Sequence, residues 1–96
     1  MLYNNVTLTV KDEQDVDKVR ELLIQQATLS REEPGCARFE LYHSQADRCV
    51  FQLIEQWESE ELLVQHREAK ACKEVYFPHV IPLVDRVAHP SDAVLV

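Results

Sequence analysis

Apolar and polar residues alternate along three stretches of this 96-residue chain. In the first stretch, Val6, Leu8 and Val10 fall on one side of a strand, and Asn5 falls on the other. Residues 36–43 and 50–57 alternate in the same way, but the last stretch has apolar residues on both of its sides. We therefore expect three strands, and we expect both faces of the third strand to be covered.

Helical spacing of apolar residues follows the first and third strands. Residues 16–27 carry apolar side chains three and four positions apart, which predicts an amphipathic helix that ends near Ser30. Ser59 is a suitable N-cap for a second helix, in which His66 would point inward. A further helical stretch, over residues 72–83, contains two prolines, which predict a kink or a break. Gly35, the only glycine, is expected to take a positive φ.

The element order is strand, helix, strand, strand, helix, strand, with the last strand at either 85–89 or 93–96. This order predicts a single α+β domain over residues 1–96: a ferredoxin-like antiparallel sheet with helices on one face. Strands one and three would be neighbours at the sheet centre, which would bring Asn5 near Trp57. A second copy of the chain, packed sheet to sheet, is the simplest cover for the other face, so we expect a homodimer.

Composition and charge restrict the classes of partner. Hydrophobic residues make up 46% of the chain and charged residues 28%, as in ordinary globular proteins. The net charge of −7 disfavours nucleic acid and anionic membranes as partners. No apolar run approaches the roughly 20 residues of a membrane span, and the N-terminus does not read as a signal peptide. Three widely spaced cysteines predict free thiols and a cytoplasmic protein.

Four motifs occur in one order along the chain: Glu33–Cys36, Arg38–Leu41, Ile54–Ser59 and Gln65–His66. Together they resemble the antibiotic biosynthesis monooxygenase domain family, from about Val6 to about Leu83. The resemblance implies a dimeric α+β barrel in which two sheets pack face to face. It also implies oxidation of small quinols or phenols by O2 without metal or flavin. The family is functionally mixed, so the resemblance implies the fold more strongly than the reaction.

The resemblance also suggests catalytic residues. Trp57 would hold the aromatic ring, Asn5 would steady the developing anion, and His66 would accept a proton. Each has a structural alternative: Trp57 as core packing, Asn5 as an interface amide, and His66 as a hydrogen-bonded helix residue. Four further side chains are candidates for substrate binding, with packing or solvation as their alternatives: Tyr42, His43, Tyr76 and His79.

Three other functions remain open at this stage. The same pocket would suit a non-redox isomerase of a small metabolite, which would act without oxygen. A non-catalytic stress-response binding dimer would have an interior filled by side chains. Haem binding is disfavoured, because Tyr76 stands where the haem-degrading members of the family place the histidine that ligates iron. No cofactor and no metal are expected.

Overall fold

The computed structural model describes residues 1–96 as one sheet with helices on one side. In chain order the elements are β1 (Leu2–Val10), α1 (Val16–Arg31), β2 (Cys36–His43), β3 (Val50–Trp57), α2 (Glu60–Glu68), α3 (Ala71–Val80) and β4 (Val84–Ser91). Single 3-10 turns precede α1 and follow α3. The predicted α+β, ferredoxin-like architecture is confirmed.

The sheet is antiparallel, and its strands lie in the order β2-β3-β1-β4. The predicted pairing of the first and third strands at the sheet centre is therefore confirmed. Of the two positions left open for the last strand, the earlier one is correct, since β4 pairs with β1 along its length. Residues 93–96 lie beyond it, outside any strand.

The hydrophobic core lies between the sheet and the helices. Every second residue of β1 and β3 points into it, as the alternation predicted, and α1 closes it with one apolar stripe. The largest fully buried side chains are Trp57, Phe39, Phe51, Leu8, Leu23 and Leu53. The interior of the single chain is therefore the side of the sheet that faces the helices.

The opposite face of the sheet is not covered by any element of the chain. Ile54, at its centre, is half-buried by neighbouring strands, whereas Tyr42 and Val87 are 50% and 53% exposed. Polar side chains such as Thr7 and Gln52 lie among them. A second copy as the cover of this face remains a prediction.

Two helices lead from β3 to β4, in agreement with the two helical stretches that the sequence predicted. Ala69 takes an extended conformation that ends α2, and α3 then runs through Pro78 without stopping. The helix α3 is wound as a π-helix, in which Ile81 N donates to Tyr76 O five residues earlier. A π turn is wider than an α turn, so the Pro78 ring is moved away from a carbonyl it would strike in an α-helix. None of the helices combines the length and apolar composition needed to cross a bilayer.

Gly35 joins α1 to β2 in the conformation predicted for it, with φ of +78°. Its carbonyl accepts a hydrogen bond from Glu58 N at 2.9 Å, which ties this turn to the end of β3. A Cβ atom added at Gly35 would lie 2.9 Å from Leu62 Cβ and closer still to the tip of that side chain. The glycine is therefore required both by its backbone angle and by the close approach of α2.

Replacing Gly35 by alanine should lower the free energy of unfolding by about 2–4 kcal/mol, from backbone strain and overpacking together. Urea unfolding measures the loss. The double variant Gly35→Ala/Leu62→Ala removes the clash with Leu62 Cδ1 and Cγ but keeps the close Cβ contact and the backbone strain. Its loss should therefore be smaller than the sum of the two single losses. Simple additivity of the two losses would contradict the clash.

Candidate functional site

The position of His66 is set by the start of α2. Ser59 Oγ accepts a hydrogen bond from Leu62 N at 3.2 Å, which caps the helix as predicted. His66 lies one to two turns later on the inward face, where it is 5% exposed, as predicted for this residue. Its imidazole ring lies against the Trp57 ring, with centroids 4.4 Å apart. The histidine is thus fixed in the interior rather than at the surface.

Both ring nitrogens of His66 have partners from other parts of the chain. Nδ1 lies 2.6 Å from Glu33 Oε1, in the turn after α1, and Nε2 lies 3.3 Å from Cys72 Sγ at the start of α3. Glu33 and Cys72 are both largely buried. The three side chains form a continuous chain of contacts, Glu33–His66–Cys72, inside the protein.

A second carboxylate lies on the inner face of the sheet. Glu55 is 5% exposed, and its Oε1 accepts a hydrogen bond from Trp57 Nε1 at 3.0 Å. The same oxygen lies 4.0 Å from His66 Nε2. The indole N–H and the imidazole therefore partly compensate for burying this carboxyl group.

Burial changes the acidity of this cluster. It raises the pKa of Glu33 to about 7 and also raises the pKa of Glu55, although the hydrogen bond from Trp57 opposes the second shift. Burial lowers the pKa of His66. Near neutral pH, Glu33 is therefore close to the midpoint of its titration and lies beside a largely neutral imidazole. Such a pair is suited to moving protons.

The cluster forms one wall of a cleft between the sheet and the helices α2 and α3. Its volume is about 320 Å³, within the range of small-molecule sites. Polar side chains from six elements reach it, with apolar side chains between them. The lining residues are Asn4, Gln26, Glu55, Leu63, His66, Arg67, Cys72, Tyr76, Phe77, Ile81 and Arg86.

The cleft also presents hydrogen-bonding groups from other elements. Arg86 Nε donates to the Tyr76 hydroxyl at 2.9 Å, which leaves the hydroxyl hydrogen free to donate elsewhere. Two buried amide oxygens, Asn4 Oδ1 and Gln26 Oε1, have no hydrogen-bond partner. Buried oxygens without a partner are unusual, and here they lie at a cleft where a ligand would supply donors.

The structure separates the three predicted catalytic residues. His66 lines the cleft, but Trp57 is fully buried behind it and does not reach the cavity. The expected proximity of Asn5 to Trp57 is wrong, because Asn5 pairs with Ile54 and points to the opposite face. There its amide nitrogen lies 3.4 Å from Ser91 Oγ.

The structure also places the four predicted substrate-binding residues in different parts of the molecule. Tyr76 lines the cleft. Tyr42 lies on the open face of the sheet, where its hydroxyl contacts Glu40, and His79 is exposed on α3. His43 lies in a separate cleft of about 270 Å³ between α1 and the edge of the sheet. Three of the four therefore do not share a site with His66.

Sequence reasoning missed Asn4, Glu33, Glu55, Cys72 and Arg86. A signal existed for Asn4 and Glu55, because both share strand parity with core residues, and a polar residue on an apolar face often marks a site. Glu33 and Cys72 gave no such signal, since their contacts with His66 depend on how two turns meet. No group of three or more His, Cys, Asp or Glu side chains is arranged to hold a metal ion.

Comparison with known proteins identifies the family. The family model for antibiotic biosynthesis monooxygenase matches residues 1–76. The chain belongs to the antibiotic biosynthesis monooxygenase family. Among proteins of curated function, none matches this chain.

Solved structures of other proteins share the whole fold. A structure named antibiotic biosynthesis monooxygenase is 25% identical, with a TM-score of 0.89 over 99% of this chain and 100% of that one. A Nitrosomonas europaea protein, provisionally named the same, is 21% identical, with a TM-score of 0.89 over 99% and 100% of the two chains. A Bacteroides thetaiotaomicron protein of unknown function, described as a possible oxidoreductase, is 23% identical, with a TM-score of 0.86 over 94% of each chain. The last two likenesses show the fold alone.

The raised pKa of Glu33 predicts a pH-dependent contribution to stability. The folded state holds this proton more tightly than the unfolded chain, so the stabilisation is full below pH 4.5 and is lost as the pH rises through about 7. The lowered pKa of His66 acts in the opposite sense, since its contribution is present above pH 6.5 and is lost as the pH falls. Replacing Glu33 alone isolates the first effect.

We expect the difference in unfolding free energy, wild type minus Glu33→Gln, to decrease by on the order of 1 kcal/mol between pH 4.5 and 8. This is less than the full shift, because solvent reaches part of the carboxyl group. Urea unfolding across that pH range is the measurement, and Glu32→Gln, at the exposed neighbouring position, is the matched control. A difference that stays constant or increases with pH would contradict the assignment.

Proposed function

We propose that this protein is a cofactor-independent monooxygenase that oxidises a small quinol or phenol with O2 in the cleft beside His66. Family membership supports the reaction class. The observation that carries the proposal is the composition of the cleft wall: a histidine paired with a carboxylate lines the same cleft as two side chains whose buried oxygens lack partners. A phenolic ligand with two hydroxyl groups would supply both a proton for the histidine and a hydrogen-bond donor for an unpartnered oxygen.

The first step is removal of a proton from a ring hydroxyl. His66 takes this role, and Glu33, at 2.6 Å from Nδ1, orients the imidazole and stabilises its protonated form. The Cys72 thiol contacts His66 Nε2, so the substrate hydroxyl would either replace the thiol at this nitrogen or share the nitrogen with it. A base with a pKa near the working pH is the most effective kind.

The second requirement is to hold the resulting anion. The Tyr76 hydroxyl, already bonded to Arg86, has a hydrogen to donate to a phenolate oxygen, and Arg86 brings a positive charge close to it. Asn4 Oδ1 would accept a hydrogen bond from a second hydroxyl of a quinol. Asn4 thus replaces Asn5 in our assignment, and Tyr76 and Arg86 take the role of steadying the anion.

The electrons come from the substrate itself. A quinol anion gives two electrons that reduce one oxygen atom of O2 to water, and the other oxygen atom bonds to the ring carbon. The products are one hydroxylated quinone and one water, so the reaction needs no external reductant. The contribution of the protein is to deprotonate the ring, hold it and keep bulk water away.

Oxygen uptake with a panel of hydroquinones and naphthols tests this proposal, after subtraction of the protein-free rate. His66→Ala should lower kcat/KM by about 10²-fold or more, and Asn4→Ala by about tenfold. Asn5→Ala is the matched control, because the same substitution one residue away lies on the other face of the sheet. Oxygen uptake no faster than the protein-free rate with every substrate would refute the proposal. A loss of activity in Asn5→Ala alone would also contradict it, because the site would then lie on the other face of the sheet.

Repeating the assay without oxygen separates the alternatives. Turnover of a small metabolite under anaerobic conditions would indicate the non-redox isomerase. A protein inactive in both conditions would fit the non-catalytic stress-response binding dimer. Mixing with haemin checks haem binding through the Soret band. Three free cysteines support a reducing, cytoplasmic setting for any of these functions.

We also propose that the protein acts as a homodimer joined through the open face of its sheet, as a dimeric α+β barrel. Support comes from the apolar side chains of that face, since Ile54 lies at its centre and Val87 and Tyr42 flank it. A second copy would remove these side chains from water. The His66 cleft lies on the other side of the sheet, so this interface would leave it open.

Replacing Ile54 by lysine should convert the dimer to monomer at micromolar concentration, because two charges would be buried near the interface centre. Sedimentation velocity measures the change, with circular dichroism to show that the fold persists. Val64→Lys, which alters an exposed apolar residue on α2, is the matched control. A wild-type protein that sediments as a monomer would rule out this assembly.

A further inference from the structure

The three cysteines have different surroundings. Cys36 begins β2 and Cys49 directly precedes β3, and both are partly buried and pack against the core. Cys72 is buried, lines the cleft, and has its sulfur 3.3 Å from His66 Nε2. Only this thiol has a base in contact with it.

The contacts around Cys72 have the order of a nucleophile, a base and a group that orients the base. The Cys72 sulfur lies at one nitrogen of His66, and Glu33 Oε1 lies at the other nitrogen, 2.6 Å away. This order is the one by which enzymes activate weak nucleophiles. The cleft beside it is large enough for a one- or two-ring ligand.

The thiol is protonated at rest. Burial, together with the negative charges of Glu33 and Glu55, raises the pKa of Cys72 to about 12. A free thiolate is therefore scarce, and Cys72 resembles a serine nucleophile in that it must lose its proton during the attack itself. His66 is the only base in contact with the sulfur.

We propose that Cys72 is a nucleophile that captures quinones and related α,β-unsaturated carbonyl compounds bound in the cleft, with His66 as its base and Glu33 as the positioning residue. The physiological source of such a ligand rests on the proposed function, because a quinol monooxygenase would form a quinone within reach of this thiol. The capture itself needs only an electrophile in the cleft.

The step is balanced without another reactant. The S–H bond breaks and its proton passes to His66 Nε2, while the sulfur forms a bond to a ring carbon of the quinone. The carbon–carbon double bond opens, and its electron pair moves to the carbonyl oxygen, which takes the proton back from the imidazolium. Loss of the ring proton and its transfer to the remaining carbonyl give a hydroquinone thioether. The two carbonyl carbons are reduced by two electrons in total and the ring carbon that gains sulfur is oxidised by two, so the step needs no external oxidant or reductant.

Added 1,4-naphthoquinone tests the capture directly, under anaerobic conditions so that no turnover is involved. Peptide mass spectrometry follows the adduct at each cysteine over time. At Cys72 the rate should saturate with quinone concentration, because binding in the cleft precedes reaction. At Cys36 and Cys49, which serve as internal controls, it should rise linearly. Saturating 1-naphthol, which is not an electrophile, should protect Cys72 and leave the other two unprotected.

The variants test the role of the base. His66→Gln should slow labelling of Cys72 by about 10²-fold, and Glu33→Gln should slow it by about tenfold, while both leave Cys49 labelling within twofold. That unchanged rate also reports that the fold persists. If His66→Gln does not fold, the Glu33→Gln rate and the naphthol protection decide the question.

Three results would overturn the inference: an unlabelled Cys72 beside labelled Cys36 and Cys49, a Cys72 rate that does not saturate, or an unchanged Cys72 rate in folded His66→Gln protein. The outcome is separable from that of the oxygen-uptake assay. Capture without oxygen uptake keeps this inference and removes the proposed monooxygenase reaction. Oxygen uptake without capture does the reverse.

Discussion

A carboxylate held away from water is the constraint on which the helix side of this fold depends. Glu55 takes an inward position of β3, between Leu53 and Trp57, where an aliphatic residue would pack at lower cost. The indole N–H of Trp57 and the nearby imidazole of His66 compensate for its burial. The need to compensate Glu55 accounts for the tryptophan and the histidine that lie side by side in this small core. It also places two ionisable side chains, Glu55 and His66, in the wall of the cleft.

The two-residue period of the strands divides the molecule into two surfaces with separate roles. Asn4 and Asn5 are adjacent in sequence, yet one lies buried beside the cleft and the other lies on the open face of the sheet. The same period places Glu55 in the interior and Ile54 outside. An interface on the outer face and a reaction in the cleft would therefore use different side chains of the same strands, so mutations can separate them.

The fold was predictable from the sequence because alternation, capping and Gly35 are local signals. The order of elements then restricted the topology to a ferredoxin-like sheet, which the structure confirms. The site was only partly predictable. His66 was found from helical spacing and residue type, but Glu33 is 33 residues away and contacts it only after α2 packs against the turn that contains Gly35. The expected proximity of Asn5 to Trp57 was wrong although the strand parity of Asn5 was correct, because chain topology shows which strands are neighbours but proximity also requires a shared face.

The Glu33–His66 pair links stability to the proposed chemistry. Below neutral pH the proton on Glu33 stabilises the folded state, but the carboxyl group is then neutral and would do little to stabilise an imidazolium formed during reaction. Above pH 7 the carboxylate is ionised, so in the proposed reactions His66 would accept a proton from a substrate or from Cys72 more readily, while the contribution of Glu33 to folding is lost. The pH range in which Glu33 would best support a base is therefore the range in which it contributes least to stability. Such a conflict is expected where a buried group is retained for reactivity rather than for packing.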